Sequence, residues 1–347
     1  MIDFLILIFV IIALCSLTEE RWGTYKGYVY IAIILGLIII AGLREVGVDN
    51  DSINYEYTYR HYDQDTVLKE ITYTFLAWLY NFITYDVYLL FITYAILGVT
   101  TKARAFKQIM PDIWFLPMLV YFSNYFILHE MTQIRAGVAS GFFLLSIRHI
   151  ANGEKRAAAL RLLCATLFHY SAIVLFPLLL FNNRPLKNWH KYLLYAVVPV
   201  SYLMYFMHIE ITSIPIPYIS EKMDAYQQMR DKGLLGDSIN VFNATFLLKI
   251  AVYYFILLMY DTIYAYNKYL PILLRIMALS IFSFLFLSPL PVMAFRVMEL
   301  YGVVDIFLYS FIVYTIKQTS LAKFIIVIIC AAILSLNLFY VELIHDV

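Results

Sequence analysis

The run IAIILGLIIIA, residues 31–41, has no side chain that can donate or accept a hydrogen bond. Apolar stretches recur along the chain at 2–17, 28–43, 87–101, 113–128, 134–151, 191–208, 243–263, 271–288, 297–316 and 321–341. A bilayer span needs roughly 17–25 predominantly apolar residues. In hydrocarbon each backbone N–H and C=O must be satisfied within the segment, which confines such runs to helices. The chain is 63% hydrophobic and 14% charged, whereas a soluble domain holds about 45–50% apolar and about 25% charged residues. With a mean hydropathy of +0.78, that excess cannot be buried in one globular core. The expectation is an all-α polytopic membrane protein with about ten full transmembrane helices. No Gly- or Ser-rich linker and no internal repeat divides it, so residues 1–347 read as a single integral membrane domain.

Two stretches resist assignment. Residues 70–84, EITYTFLAWLYNFIT, are short enough to lie at the interface. Residues 157–181 are long enough to cross once but carry His169 and Tyr170 in the middle. Basic residues gather on the cytoplasmic side of membrane proteins. Most of the 25 Lys and Arg, Lys102 among them, fall inside if both termini face out, 70–84 does not cross and 157–181 turns back near His169. The expected fold therefore gains one broken, re-entrant helix. The same arrangement turns two long acid- and Tyr-containing loops, 44–69 and 209–242, outward. Within the second, YISEKMDAYQQMRDKG reads as a short amphipathic helix stopped by Gly233. The first run has no basic n-region and no small-residue cleavage site after it, so it is expected to be a permanent span.

Net charge is +1, which excludes a strongly basic nucleic-acid binder. Cys15, Cys164 and Cys330 sit singly in apolar runs, as small hydrophobes do. No HExxH, DxD, P-loop, GxGxxG or GxSxG pattern occurs, so neither a metal nor a cofactor is expected.

The polar residues the bilayer must tolerate carry the functional signal. Arg44 ends the second span, Arg135 opens the helix QIRAGVASGFFLLSI, and Arg296 follows the Pro289/Pro291 break. One such arginine can snorkel to headgroups. Three at outward ends, against the cytoplasmic preference for basic residues, suit an outward cationic pocket, and the arginine fork suits phosphate. His169, at the expected helix break, is a core histidine, a proton acceptor or a phosphate partner. Asp49 is a base, a solvated loop acid, or the group that orients an arginine. Glu130 lies close enough in sequence to Arg135 for a local ion pair.

The stretch AGLREVGVDNDSINYEYTYR, with Arg44, Gly47, Asp49 and Tyr55, resembles the arginine–glycine–aspartate–tyrosine pattern of the EpsG-like and Wzy-type polysaccharide polymerases, although the tyrosine is displaced. The block from Glu130 to Leu179, an arginine-led small-residue helix, a basic turn and a helix carrying His169, is similar to that family's second block. MAFRVMELYGVVDI, with Arg296 and Tyr301, resembles its third. The resemblance implies a C-type glycosyltransferase-like membrane fold in the cytoplasmic membrane with its active site on the outer face. It implies donor and acceptor oligosaccharides linked to undecaprenyl pyrophosphate. The growing chain moves to the acceptor, and Arg44, Arg135 and Arg296 bind the leaving pyrophosphate without a metal. His169 or Asp49 is then the catalytic base. Membrane lipids and a chain-length regulator are the further partners implied. The rival readings are a lipid-linked oligosaccharide flippase and a membrane O-acyltransferase. A flippase would need inverted repeats and a site reached from both sides; an acyltransferase would also use an intramembrane histidine.

Overall fold

The protein is described by a computed structural model that covers residues 1–64, 70–209, 211 and 239–345. The expected amphipathic helix before Gly233 lies outside the described residues, as does Lys69. The described residues are helical, with no β-strand and a single antiparallel bridge between Asp49 and Ile344.

The α-helices are α1 (Ile2–Leu17), α2 (Lys26–Gly42), α3 (Ser52–Arg60), α4 (Ile71–Asn81), α5 (Tyr88–Ile109), α6 (Phe115–Tyr121), α7 (Ile134–Ala151), α8 (Lys155–Phe168), α9 (Asn188–Phe206), α10 (Ala244–Leu258), α11 (Tyr260–Tyr264), α12 (Leu270–Phe286), α13 (Pro291–Gly302), α14 (Asp305–Phe311) and α15 (Thr319–Phe339). A π-helix, Phe122–Thr132, continues α6, and a 3-10 helix, Tyr170–Leu180, follows α8.

Helix forms at each apolar stretch, but the count of about ten full spans is not reached. Among the described residues four segments are long and apolar enough to cross a membrane: Gly23–Gly42, Tyr88–Ile109, Ile134–Ala151 and Thr319–Phe339. A fifth is added if the bent pair Pro291–Gly302 and Asp305–Tyr314 is one span. The shortfall has local causes. The stretch 113–128 is split where α6 gives way to the π-helix. The stretch 297–316 bends by 48° where α13 gives way to α14. Others, Ile2–Leu17, Ala244–Leu258 and Leu270–Phe286, are apolar but short. The apolar helices and their composition make this a helical membrane protein.

The chain forms two compact units, 1–182 with 309–347, and 183–308. In the first, α7 packs on both α5 and α8, α2 packs on α5, and α1, α6, α15 and the π-helix pack together. Close approach of α5 and α7 needs small residues, as it commonly does between membrane helices. A Cβ on Gly141 would lie 1.9 Å from the Thr101 hydroxyl. In the second unit α12 packs against α9 and α13.

The interruption expected at His169 is present. α8 stops at Phe168, His169 takes an extended conformation (φ −151°, ψ 110°), and the 3-10 helix packs against α8. If this segment turns back, topology reporters fused after Gly153 and after Asn182 give the same sidedness. Opposite signals would show one full crossing between them.

Candidate active site

The loop after α2 is organised around Arg44, which is 1% exposed. Its Nε donates to Asp49 Oδ2 at 2.8 Å. Its Nη1 donates to the Ala41 carbonyl at 2.6 Å, and its Nη2 donates to the Met131 carbonyl. Ala41 lies in the last turn of α2 and Met131 in the last turn of the π-helix. Carbonyls at a helix C-terminus lack intrahelical donors and carry the negative end of the helix dipole. One guanidinium thus caps two helices. Its face also covers the Phe91 ring at 4.0 Å.

Asp49, 2% exposed, is as fully committed. Its Oδ1 accepts from the amides of Asp51 and Ser52 at 3.0 and 2.9 Å, which starts α3. Gly47 turns the chain at φ +98°, where a side chain would be strained, and its amide donates to the Ser52 hydroxyl. The sequence places Arg44 at the lip of a pyrophosphate site and leaves Asp49 a choice of roles. The structure encloses both in protein and pairs them with each other.

A second cluster gathers residues far apart in the chain. Arg135, in the first turn of α7, donates through Nη1 to Glu70 Oε2. Glu70 Oε1 lies 3.0 Å from His169 Nδ1. With Glu70 ionised, Nδ1 carries the proton it donates, which leaves Nε2 as an acceptor. Burial opposes ionisation of Glu70, but the His169 hydrogen bond and the Arg135 charge outweigh it and hold the carboxyl below its usual range.

The local sequence explains how these groups meet. The break after Phe168 leaves carbonyls without helical donors. Thr72 Oγ1 donates to one of them, Leu167, at 2.8 Å, and the Tyr170 hydroxyl accepts from the Ile71 amide at 3.2 Å. These two bonds dock the start of α4, and Glu70 beside it, onto the break. The run YEYTY supplies the wall: Tyr55 and Tyr59, four apart on one face of α3, are buried, whereas Tyr57 is exposed. Tyr73 donates to the Tyr55 carbonyl at 2.7 Å. The Arg135 guanidinium lies 5.6 Å from the Tyr55 ring and 6.0 Å from the Tyr73 ring. Burial pushes the Tyr55 phenol up to about 12 against the pull of Arg135, so it is a neutral hydroxyl at physiological pH.

Arg135 is not used up by these contacts. Its side chain is 29% exposed, and its Nε is buried with no hydrogen-bond partner. The arrangement therefore offers an arginine with donor capacity to spare beside a histidine oriented by a carboxylate.

Of the residues singled out in the sequence, Arg135 and His169 come together through Glu70, and Arg44 meets Asp49. Arg296 is exposed on α13 in the second unit. The local pairing of Glu130 with Arg135 does not form; Glu130 pairs with Lys102 instead. Lys102 is 0% exposed, so it is not a solvated basic residue. Sequence reasoning passed over Glu70. Its signal is faint: an acid at the boundary between a loop and an aromatic helix. Among the described residues no group of three or more His, Cys, Asp or Glu is placed to hold a metal ion.

Residues 27–345 match the EpsG family, a match that contains both clusters and Arg296. The chain belongs to the EpsG family. It is also similar to the amylovoran biosynthesis protein AmsC of Erwinia amylovora, 22% identical over 200 residues, which is 53% of this chain and 53% of that protein. The chain thus spans about half the length of that curated relative. No solved structure matches.

Two outcomes follow for this EpsG-family site. Arg44→Ala strands a buried carboxylate and two helix ends, so it costs about 3–5 kcal/mol, as loss of one partner of a buried pair does. The check is a fall in thermal stability of the purified protein that exceeds that of the double variant with Asp49→Ala. Glu70 has a depressed folded-state pKa, so its contribution is present above the unfolded value of about 4.3 and is lost as pH falls below it. Glu70→Gln lacks that dependence, so the stability gap between the two proteins narrows as the pH is lowered through this window.

Proposed function

We propose that this EpsG-family protein is a polysaccharide polymerase of the outer face of the cytoplasmic membrane. It transfers a growing glycan from undecaprenyl pyrophosphate to a repeat unit carried on the same lipid. The observation that carries the reading is Glu70, which holds Arg135 on one oxygen and His169 on the other. Family membership and the similarity to a protein of amylovoran biosynthesis support the class of reaction.

In this reading Arg135 binds the donor's diphosphate through its partly exposed side chain. Charge builds on the bridging oxygen as the bond from the anomeric carbon to the diphosphate breaks, and the guanidinium stabilises it. A hydroxyl oxygen of the acceptor sugar forms the new bond to the anomeric carbon. Its proton passes to His169 Nε2, while Glu70 holds Nδ1–H and stabilises the charged imidazolium. Undecaprenyl pyrophosphate leaves with the electron pair of the broken bond. Arg44 and Asp49 act as the frame beneath this site, since their hydrogen bonds are already taken. The larger architecture is that of a C-type glycosyltransferase-like fold, with the shorter apolar helices and the re-entrant segment at His169 completing the spans.

The test is chain extension by purified protein supplied with lipid-linked repeat units. Arg135→Ala gives only single units, and Arg135→Lys restores little, because a point charge lacks the two-pronged geometry. His169→Gln lowers turnover by about 10²–10⁴-fold, the range for a lost general base. Full-length ladders from the Arg135→Ala protein would refute the reading. Ladders of normal length that have lost only O-acyl groups would favour an acyltransferase.

A further inference from the structure

Lys102 and Glu130 take no part in the chemistry proposed above, yet both are closed off inside the first unit, at 0% and 1% exposed. Lys102 Nζ, on α5, donates to Glu130 Oε1 and to the Gly137 carbonyl, each at 2.6 Å. The Tyr121 hydroxyl donates to the same Glu130 oxygen at 2.9 Å. Glu130 Oε2 is buried with no hydrogen-bond partner. An ion pair kept for stability alone is a poor solution here. Apolar side chains of similar volume generally do as well, and an unsatisfied carboxylate oxygen adds a penalty.

What the pair does is join three elements at one point. Lys102 belongs to α5, Glu130 to the π-helix and Gly137 to α7. Gly137 follows Arg135 by two residues, in the opening turns of α7. On its other side Gly137 abuts the π-helix so closely that a Cβ would lie 1.9 Å from the His129 carbonyl oxygen. The start of α7 is thus held between a lysine and the end of the π-helix. Gly98, one turn before Lys102 on α5, makes room for the carboxylate: a Cβ there would lie 1.9 Å from Glu130 Oε2.

We propose that the Lys102–Glu130 pair, seated on Gly98, is a positioning device that fixes the start of α7 and so delivers Arg135 to Glu70. It rests on the reading of Arg135, Glu70 and His169 as the reacting group. Neither Lys102 nor Glu130 touches substrate; both act through the backbone beside Arg135.

The experiment uses the full chain in lipid nanodiscs and two backgrounds. Lys102→Met with Glu130→Met removes both charges, so no unpaired charge is left. Gly98→Ala keeps both charges but blocks the seat of the carboxylate. The geometric readout is the rate at which a short bifunctional thiol reagent joins Glu70→Cys to Arg135→Cys, in a chain with Cys15, Cys164 and Cys330 replaced by alanine. That rate falls roughly fivefold or more in each background, since proximity and orientation set such rates. The double-methionine protein meanwhile keeps the parent's unfolding temperature. An unchanged rate overturns the proposal. If the double variant does not assemble, Gly98→Ala decides alone. Undecaprenyl pyrophosphate binding, with Arg135 and Glu70 intact, is measured in the same backgrounds and weakens by roughly tenfold. Slower cross-linking with unchanged binding keeps the positioning role and refutes the substrate role given to Arg135.

Discussion

A single guanidinium, that of Arg44, closes the frame on which the site is built. A buried cation is tolerated only when it is paired and hydrogen-bonded. Here the partners are also what the fold needs tied down. The Ala41 carbonyl ends α2, the Met131 carbonyl ends the π-helix, and Asp49 starts α3. Arg135 follows Met131 by four residues and Tyr55 lies in α3, so Arg44 sets the positions of two walls of the neighbouring cluster. The C-terminal segment adds to this frame, because the His345 amide donates to the Val48 carbonyl at 2.8 Å.

Glu70 plays the converse part. Its two oxygens are divided between a permanent cation and a titratable ring. In the proposed reading, a diphosphate that approaches Arg135 competes with one of these contacts and leaves the other intact. The carboxylate would then keep His169 oriented while the arginine turns to substrate. Burial of Glu70 and His169, with Tyr55 and Tyr73 beside Arg135, lowers the local dielectric and strengthens each of these interactions.

Much of this was legible in the sequence. The apolar runs fix helices because the bilayer permits little else, and an apolar stretch interrupted by His169 and Tyr170 marks the break that the structure contains. The pairing of Arg135 with His169 was legible only as two conspicuous residues, because Glu70, which joins them, lies 65 and 99 positions away in the chain. The burial of Lys102 was hidden for a related reason. Charge counting treats a lysine near a helix end as solvated, and nothing local to TTKARA announces a glutamate 28 residues on. The π-helix is likewise silent in the sequence, since its apolar spacing is that of any buried helix. Span counts suffered because hydropathy does not register where a helix changes type or bends.

The central claim is that Arg135 binds the diphosphate while Glu70 serves the histidine, and affinity measured apart from turnover separates these roles. The measurement is the binding of undecaprenyl pyrophosphate to the intact protein in nanodiscs, beside single-turnover glycan transfer. The account predicts that Arg135→Ala loses binding, whereas Glu70→Gln binds at least as tightly as the parent, since a competing charge is gone, yet transfers slowly. Loss of binding in Glu70→Gln with retention in Arg135→Ala would contradict it.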